Sequence, residues 1–342
     1  MAVTLSDVAR RAGVSEATAS RVLNGRRYVA ATTRLLVQEA ARDLDYVPNR
    51  AARDLSMART ATASLLVHHA QYPAHGEGTF SSRVVDGVSR ALRLSGYDLL
   101  YVPVDDAVVG RVAGLAAVRA GRSDGVIVLG PAFPRAALAA LRSSGRPMVT
   151  IDERLPGCDA VLAENRAAMI ELTRHLIVDH GHRRLACLAG PSRWPSTAER
   201  VAGIRAEARR TGAAVRVLRA RETTMRDGAE AATTLMGASP DAVLAVNDAM
   251  AIGAMHRFRT MEARHRPAIT GFDDIAWAQL TDPPLTSVAV DAHAMGAEAA
   301  RLLIERIGSP DHESLPAREV RVPATLRLRR SCGCDDRIGS SR

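Results

Sequence analysis

The sequence predicts an all-α N-terminal domain, followed by an α/β core that contains two doubly wound parallel sheets. Two observations predict this division. Residues 1–46 place apolar side chains only at helical spacing, whereas from about residue 61 short apolar runs alternate with helical stretches. Apolar strands separated by helices are typical of parallel sheets covered by helices on both faces. The length of 342 residues suits two or three domains.

The N-terminal domain is predicted to contain three short helices. Thr4 and Asp7 have the spacing of a capping pair that opens the first helix. Gly13 ends that helix, Ser15 can cap the second, and Gly25 ends the second. Two short helices joined by a tight turn and followed by a third predict a helix-turn-helix domain over residues 1–46.

The second helix has two unlike faces. Its Ala and Val residues lie on one side, and Glu16, Ser20, Arg21 and Asn24 lie on the other. A solvated surface helix has this pattern, and so does a helix whose polar face enters a groove of DNA. The formal net charge of +9, carried by 46 arginines without any lysine, favours an anionic partner such as nucleic acid.

Residues 47–60 predict a linker with a very short hinge helix. Pro48 breaks the third helix, Asn49 can cap a new one, and residues 50–55 form barely two turns. A helix this short is marginal in water by itself. We therefore expect it to fold against a partner.

The core over residues 61–330 is predicted to form two lobes. Apolar runs that indicate strands occur at residues 65–67, 99–104, 126–129, 148–151, 185–188, 243–246, 268–270 and 286–290. We assign residues 61–160 to an N-lobe and residues 161–290 to a C-lobe. Residues 291–330 return to the N-lobe as a helix over 294–307 and one final strand over 319–328, and residues 331–342 form a tail.

Polar side chains follow many of these runs. Ligands bind at the carboxyl ends of strands in open α/β sheets, where loops and helix N-termini converge. The side chains predicted to meet there are His69, Asp152, Trp194, Ser196, Arg200, Asn247 and Asp273. Carboxylates, an amide, an arginine fork and an aromatic ring suit a small polyhydroxylated ligand. Asp248 and Asp274 are interpreted instead as caps of the helices that follow them.

Other classes of function are disfavoured. Glycine-rich phosphate loops and a Gly-x-Ser-x-Gly elbow are absent, so we expect no enzyme and no cofactor. Cys332 and Cys334 could supply half a metal site, but no His or Cys pair follows them, and His180 and His182 are interpreted as surface histidines. We therefore expect no metal. No apolar run has signal-peptide or membrane-span length, which predicts a cytoplasmic protein without membrane contact.

Several long segments resemble the lactose/galactose repressor family. TLSDVARRAGVSEATASRVLNG and TTRLLVQEAARDLDYVPNRAARDL are similar to its DNA-binding head and hinge. DGVIVLG, AVNDAMAIGAM, TGFDD and VPATLRLRRSCG stand where its core has comparable segments. The resemblance covers essentially the whole chain. It implies a core like that of periplasmic binding proteins.

The resemblance also implies roles for individual residues. The second helix would lie in the major groove of DNA, where the predicted contacts are Ser15, Glu16, Ala17, Ser20, Arg21 and Asn24. The hinge would enter the minor groove of operator DNA, where the predicted contacts are Asn49, Ala52, Arg53 and Leu55. Leu55 would wedge between base pairs. Asp152, Arg200, Asn247 and Asp273 would contact the effector, while His69, Trp194 and Ser196 would line its site.

The sequence departs from the family pattern at several positions. Ala30 replaces a common serine cap before the third helix, and the loop over residues 70–80 is longer than usual. The tail lacks leucine heptads, so we expect a homodimer without tail-driven tetramers. The resulting hypothesis is a repressor of sugar-uptake or catabolic genes that is controlled by a small ligand, expected to be a sugar, between the lobes. The alternative is a solute-binding protein for transport, but such a protein would not need residues 1–60.

Overall fold

The computed structural model describes residues 3–23, 29–46, 60–68, 79–115, 118, 122–235, 237–261 and 266–334. The chain forms two compact units, Met1–Thr60 and Ala61–Arg342. Within the described residues, no helix combines the length and the apolar character needed to cross a bilayer.

The first unit contains the three expected helices, α1 (Leu5–Arg11), α2 (Glu16–Leu23) and α3 (Ala31–Asp43). The predicted capping pair is confirmed: the Thr4 side chain accepts from the Asp7 amide, and the Asp7 carboxylate accepts from the Thr4 amide at 3.0 Å. Ser15 Oγ accepts from the Thr18 amide at 3.2 Å, so Ser15 caps α2. The predicted end of α2 at Gly25 lies outside the described residues.

The three helices enclose a small aliphatic core. Its buried members are Val8, Ala9, Ala19, Val22, Val37 and Ala40. Burial of Ala19 and Val22 turns the opposite face of α2 toward solvent. Ala30 stands at the N-cap of α3 without a side-chain hydrogen bond, as its replacement of a serine predicted.

The second unit alternates strands and helices. Its strands are β1 (Thr62–His68), β2 (Asp98–Val104), β3 (Gly125–Leu129), β4 (Met148–Ile151), β5 (Asp159–Ala163), β6 (Arg184–Ala189), β7 (Ala214–Arg219), β8 (Ala242–Ala245), β9 (Ala268–Asp273), β10 (Thr286–Val290), β11 (Glu319–Val322) and β12 (Ala324–Arg327). Its helices are α4 (Phe80–Leu94), α5 (Arg135–Arg142), α6 (Asn165–Arg174), α7 (Pro195–Thr211), α8 (Met225–Leu235), α9 (Asp248–Thr260) and α10 (Ala292–Gly308). The apolar runs did not reveal β5 and β7.

The strands form two six-stranded sheets, which confirms the predicted fold class. The first has the order β11-β5-β4-β3-β1-β2 and is parallel throughout. The second has the order β12-β10-β9-β8-β6-β7 and is parallel except for β12, which pairs antiparallel with β10. Strands such as β3, in which every residue is buried, explain the continuous apolar runs.

The predicted single strand over residues 319–328 is wrong. Val322 pairs with Ala163 in the first sheet, whereas Ala324 pairs with Val290 in the second. Pro323 separates the two strands, because proline lacks the amide that a continuous ladder needs. The C-lobe therefore gains β12, and the N-lobe boundary, expected at about residue 160, lies after β5 at Ala163.

The chain consequently passes between the two lobes three times. The crossings lie between β5 and α6, between β10 and α10, and at Pro323. In the N-lobe, α4 and α10 approach so closely that a Cβ atom at Gly87 or Gly296 would overlap the backbone of the opposite helix. Three short connections between two tightly packed lobes are suited to hinge motion.

Candidate functional site

A cleft lies between the lobes, at the carboxyl ends of the parallel strands. Its lining residues are Phe80, Ser81, Pro131, Asp152, Trp194, Ser196, Thr197, Arg200, Thr223, Val246, Asn247 and Asp273. The structure thus brings together all six predicted effector residues that it describes. The seventh, His69, lies outside the described residues.

Arg200 is the central cation of the cleft. It extends from α7 and is almost completely buried. Its Nε donates to Asn165 Oδ1 at 2.8 Å and its Nη1 donates to the Val246 carbonyl at 2.5 Å. The guanidinium also lies 3.6 Å from the centroid of the Phe272 ring. These contacts fix the fork, so that Arg200 is oriented before a ligand arrives.

Two buried carboxylates, Asp152 and Asp273, face this cation. Asp273 Oδ1 lies 3.5 Å from Arg200 Nη2. Burial raises the pKa of Asp273 to about 6, although Arg200 and Arg83 oppose the rise. Burial also raises the pKa of Asp152, against the attraction of Arg200. Both carboxylates have therefore lost more hydration than their protein contacts replace.

Some polar atoms of the cleft lack partners among the described residues. Oδ1 of Asp152 and Nε1 of Trp194 are buried without a hydrogen bond. Unsatisfied buried groups are costly, so they are uncommon in folded proteins. Asp152 Oδ1 offers an acceptor and Trp194 Nε1 a donor, and a ligand with hydroxyl groups would satisfy both.

The backbone at two of the carboxylates is also unusual. Asp152 has a φ of 61° and Asp273 has a φ of 103°, both in the region that favours glycine. Such residues cost on the order of 1–3 kcal/mol each and cluster at ligand clamps. Both side chains line the cleft between the lobes.

Of the two polar residues that follow β8, Asn247 and not Asp248 caps the next helix. Asn247 lines the cleft, but it also caps α9, accepting from the Met250 amide at 2.9 Å. Asp248, the predicted cap, instead accepts from the Ile275 amide at 2.8 Å and the Ser287 hydroxyl at 2.6 Å. Its side chain therefore points toward β9 and β10, where a backbone amide and a buried hydroxyl donate to it.

The predicted capping role of Asp274 is wrong for a related reason. Its carboxylate forms an ion pair with Arg329 at 2.7 Å, and the short 3₁₀ turn that follows begins after Ile275. Sequence reasoning missed the lining residues Phe80, Ser81, Pro131, Thr197, Thr223 and Val246. Phe80 and Ser81 begin α4, the helix that follows β1. The start of this helix was the sequence signal that could have identified this wall of the cleft. Thr223 follows β7, a strand that the apolar runs did not reveal.

Side chains also bridge the two lobes beside the cleft. Arg83 of α4 donates to the Asp273 carbonyl at 2.6 Å. Arg154, which follows β4, forms an ion pair with Glu199 of α7 at 2.7 Å and another with Glu319 of β11 at 2.7 Å. The lobes are thus fastened on two sides of the cleft in this conformation.

The cysteine cluster differs from the sequence expectation. Cys332 and Cys334 are buried instead of lying in a loose tail, and Cys334 Sγ lies 3.5 Å from His175 Nε2 and 3.3 Å from His180 Nε2. His180 is half-buried, so its interpretation as a surface histidine is wrong. His175 and His180 precede the cysteines in sequence, so a spacing rule that requires ligand pairs after the cysteines does not find them.

In the first unit, α2 presents a polar surface. Ser15, Glu16, Ala17 and Arg21 are exposed and Ser20 is half-buried. The remaining predicted DNA contacts, Asn24 in the second helix and Asn49, Ala52, Arg53 and Leu55 in the hinge, lie outside the described residues. The Ser15 hydroxyl is also engaged in capping, which leaves Glu16 and Arg21 as the long polar side chains on this surface.

Comparison with known proteins decides the family. Residues 4–49 match the bacterial regulatory proteins of the lacI family, and residues 173–332 match the periplasmic binding protein-like domain. The chain is 30% identical to the transcriptional repressor PurR of Vibrio campbellii over 323 residues, which cover 91% of this chain and 93% of that one. The chain belongs to the LacI family of DNA-binding transcriptional regulators.

Other members of the LacI family are equally similar along their whole length. The transcriptional regulator CelR of Thermobifida fusca is 33% identical, covering 89% of this chain and 92% of that one. A solved CelR–cellobiose complex has a TM-score of 0.70 at 30% identity, over 96% of this chain and 99% of that one. The Lac repressor dimer bound to operator and anti-inducer has a TM-score of 0.79 at 25% identity, over 97% of this chain and 99% of that one. These relatives are regulators, so the transport alternative is not favoured.

Proposed function

We propose that this LacI-family chain is a repressor that binds operator DNA as a homodimer and changes its operator affinity when a sugar occupies the cleft between the lobes. The observation that carries the proposal is the cleft itself. It gathers Asp152, Arg200 and Asp273 at the carboxyl ends of strands, with buried polar atoms that lack partners. No enzymatic step is required of these residues.

The chemistry of the cleft supports a polyhydroxylated ligand. Two carboxylates can accept hydrogen bonds from neighbouring hydroxyl groups, and Arg200 can donate to ring or hydroxyl oxygens. Trp194 and Phe80 provide aromatic surface for the apolar face of a sugar ring. CelR, a relative with the same fold, has been solved with cellobiose. We therefore infer a mono- or disaccharide effector, with cellobiose as the first compound to test.

The DNA contacts follow from the exposed face of α2. Because Arg presents a bidentate fork that matches guanine, we assign base recognition first to Arg21 and then to Glu16, which can accept from cytosine. Ser15, Ala17, Ser20 and Asn24 would complete this surface. The hinge residues Asn49, Ala52, Arg53 and Leu55 would contact the minor groove. Two heads in a homodimer would then match a near-palindromic operator.

Coupling between the two sites would use the three crossings between the lobes. A ligand that contacts Asp152 of the N-lobe and Asp273 of the C-lobe favours one lobe angle over another. That angle sets the separation of the two linkers in a dimer, and hence of the DNA-binding heads. Coupling free energies of this kind are typically about 1–3 kcal/mol.

The effector assignment is tested by titrating the full chain calorimetrically with cellobiose and a panel of mono- and disaccharides. Asp273→Asn keeps the side-chain shape but removes the charge, and we expect it to weaken binding by at least about 10-fold, because charged hydrogen bonds contribute about 1.5–3 kcal/mol. Asp311→Asn, an exposed carboxylate remote from the cleft, is the matched control. Equal affinity in the two variants would refute the cleft as the binding site.

The recognition assignment is tested by measuring affinity for operator variants with the wild-type chain. Arg21→Ala should lose about 1–3 kcal/mol of discrimination at one base pair. Arg42→Ala on α3, equally exposed and of equal charge, should leave discrimination unchanged. If both variants discriminate as the wild type does, Arg21 does not read the operator.

A further inference from the structure

Four side chains with strong metal-binding atoms converge at the base of the C-lobe. One ligand atom from each of His175, His180, Cys332 and Cys334 lies within 4.8 Å of the others. The two Nε2 atoms are 3.1 Å apart, and Cys334 Sγ lies 3.5 Å and 3.3 Å from them. Three of the four residues are buried and His180 is half-buried.

Local backbone structure explains this convergence. α6 continues into a π-helical turn over His175–Asp179, and this wider turn brings His175 and His180 together with ring centroids 4.7 Å apart. Gly333 has a φ of 99°, which reverses the chain between the two cysteines so that both sulfur atoms face the histidines. A side chain at Gly333 would also press on the His180 ring at 3.3 Å.

A second layer of contacts holds the cluster. The Nδ1 atom of His175 lies 2.7 Å from the Asp179 carboxylate, which leaves its Nε2 atom directed at His180 and Cys334. Carboxylate–histidine pairs of this kind orient histidines toward metals. Thr286 of β10 donates to Cys332 Sγ at 3.1 Å. The four side chains are therefore positioned before any ion binds.

We propose that these four side chains form a structural zinc site of the Cys₂His₂ type. A tetrahedral Zn²⁺ ion with Zn–N of about 2.0–2.1 Å and Zn–S of about 2.3 Å places neighbouring ligand atoms about 3.3–3.8 Å apart. Three of the six separations between ligand atoms, 3.1, 3.3 and 3.5 Å, are close to that arrangement, and the three that involve Cys332 are within 4.8 Å. Two sulfur and two nitrogen ligands in tetrahedral geometry select zinc, and four protein ligands close the site to substrate.

The position of the site indicates what the ion would do. Ser331 Oγ donates to the Ile269 carbonyl at 2.5 Å and accepts from the Thr286 amide at 2.8 Å, both at the amino ends of strands. The cluster therefore lies at the end of the second sheet opposite the cleft. The ion would fasten the segment after β12 to the end of α6. It would thereby hold the C-terminal end of β12 within the C-lobe without contacting effector.

The direct test measures metal bound to the full chain. After purification under reducing conditions, we expect one zinc per chain by elemental analysis, and removal by a chelator should lower the melting temperature until Zn²⁺ is restored. Co²⁺ in place of Zn²⁺ should give the visible spectrum of a tetrahedral thiolate complex. Cys332→Ser and Cys334→Ser should abolish stoichiometric zinc. Cys158→Ser, which changes a buried cysteine of the N-lobe, should retain it.

Milder variants keep the test decisive if the cysteine variants do not fold. Because His180 is only half-buried, the His180→Gln variant should lose zinc while preserving the fold. Asp179→Asn should weaken zinc binding about 10- to 100-fold in a competition assay against a chromophoric chelator, as loss of an orienting carboxylate does. Glu171→Gln, an exposed carboxylate on α6, is its matched control. Less than stoichiometric zinc in the reduced wild type, a Cys332–Cys334 disulfide in its place, or unchanged zinc in His180→Gln would overturn the proposal.

Discussion

Asp152 and Asp159 stand at either end of the connection between β4 and β5, and both are buried, yet their surroundings are opposite. Asp159 receives Arg306 Nη2 at 2.6 Å and Arg306 Nε at 2.9 Å, together with the backbone and side chain of Arg318. Burial alone would raise its pKa, but these arginine contacts hold the pKa of Asp159 below its usual value. Asp152 has one oxygen without a partner among the described residues, and its pKa is raised.

The comparison separates a structural carboxylate from one that is prepared for a ligand. Asp159 joins β5, α10 and the segment before β11, so its charge is compensated within the fold. Asp152 is desolvated at the mouth between the lobes, where Arg200 and Ser196 compensate its charge only in part. Burial without a partner, and not burial itself, is what identifies the site.

The largest expected effect concerns the stability of the core. Asp159→Asn should lower the free energy of unfolding by about 3–5 kcal/mol, because it leaves the buried Arg306 without its counter-charge. Asp152→Asn should change that free energy by less than about 1 kcal/mol or raise it, since a poorly compensated charge is removed. Urea unfolding of the full chain measures both. Equal losses of unfolding free energy in the two variants would show that the two buried aspartates do not differ in this way.

The second cleft carboxylate, Asp273, should make the stability of the folded chain depend on pH. The pKa of Asp273 is about 6 in the folded chain, against an ordinary value of 3.8. Between these values the folded chain binds more protons than the unfolded chain, so this residue makes stability fall as pH rises from about 4 to 6. The size is about 3 kcal/mol.

Asp273→Asn removes this contribution. The stability of the variant relative to the wild type should therefore increase through the same pH interval, and urea unfolding at several pH values measures the difference. A difference that stays constant between pH 4 and 7 would show that Asp273 titrates as an ordinary solvated carboxylate, which would contradict the description of the cleft.

Arg154 lies beside the cleft, and its replacement should have the smallest effect among these variants. Arg154→Ala removes the ion pair with Glu199 across the lobes, whose partners are 35% and 21% exposed. Pairs this accessible contribute about 0.2–1 kcal/mol, so effector affinity should fall about 1.4- to 5-fold. Arg226→Ala, which breaks an ion pair within α8, is the control that should leave affinity unchanged. Equal affinities in both variants would show that the bridge does not contribute to closure.

Much of this organisation could be predicted because it depends on local pattern. Parallel strands all present their carboxyl ends at one edge, so the polar residues after each apolar run had to meet there. Asp152, Arg200 and Asp273 follow this rule. The rule does not say which of two adjacent polar residues caps a helix, so it does not show that Asn247, and not Asp248, caps α9.

Features that depend on distant contacts could not be predicted in the same way. The divided strand at Pro323 depends on two different partners, Ala163 and Val290. The apolar runs did not reveal β5 and β7, because β5 begins with a charged residue and β7 is interrupted by Arg216. The proximity of His180 and Cys334 joins positions 154 residues apart, and no periodicity or spacing rule reaches over that separation.

The central claim is that a ligand in the cleft controls operator binding, and fluorescence anisotropy with labelled operator DNA tests it most directly. Operator affinity of the full chain is measured with and without a sugar that the calorimetric panel shows to bind. We expect a change of about 5- to 150-fold in the wild type. An Asp152→Asn, Asp273→Asn double variant should retain operator affinity and lose the change. An operator affinity that stays constant while the sugar demonstrably binds, or a response that persists in the double variant, would contradict the account.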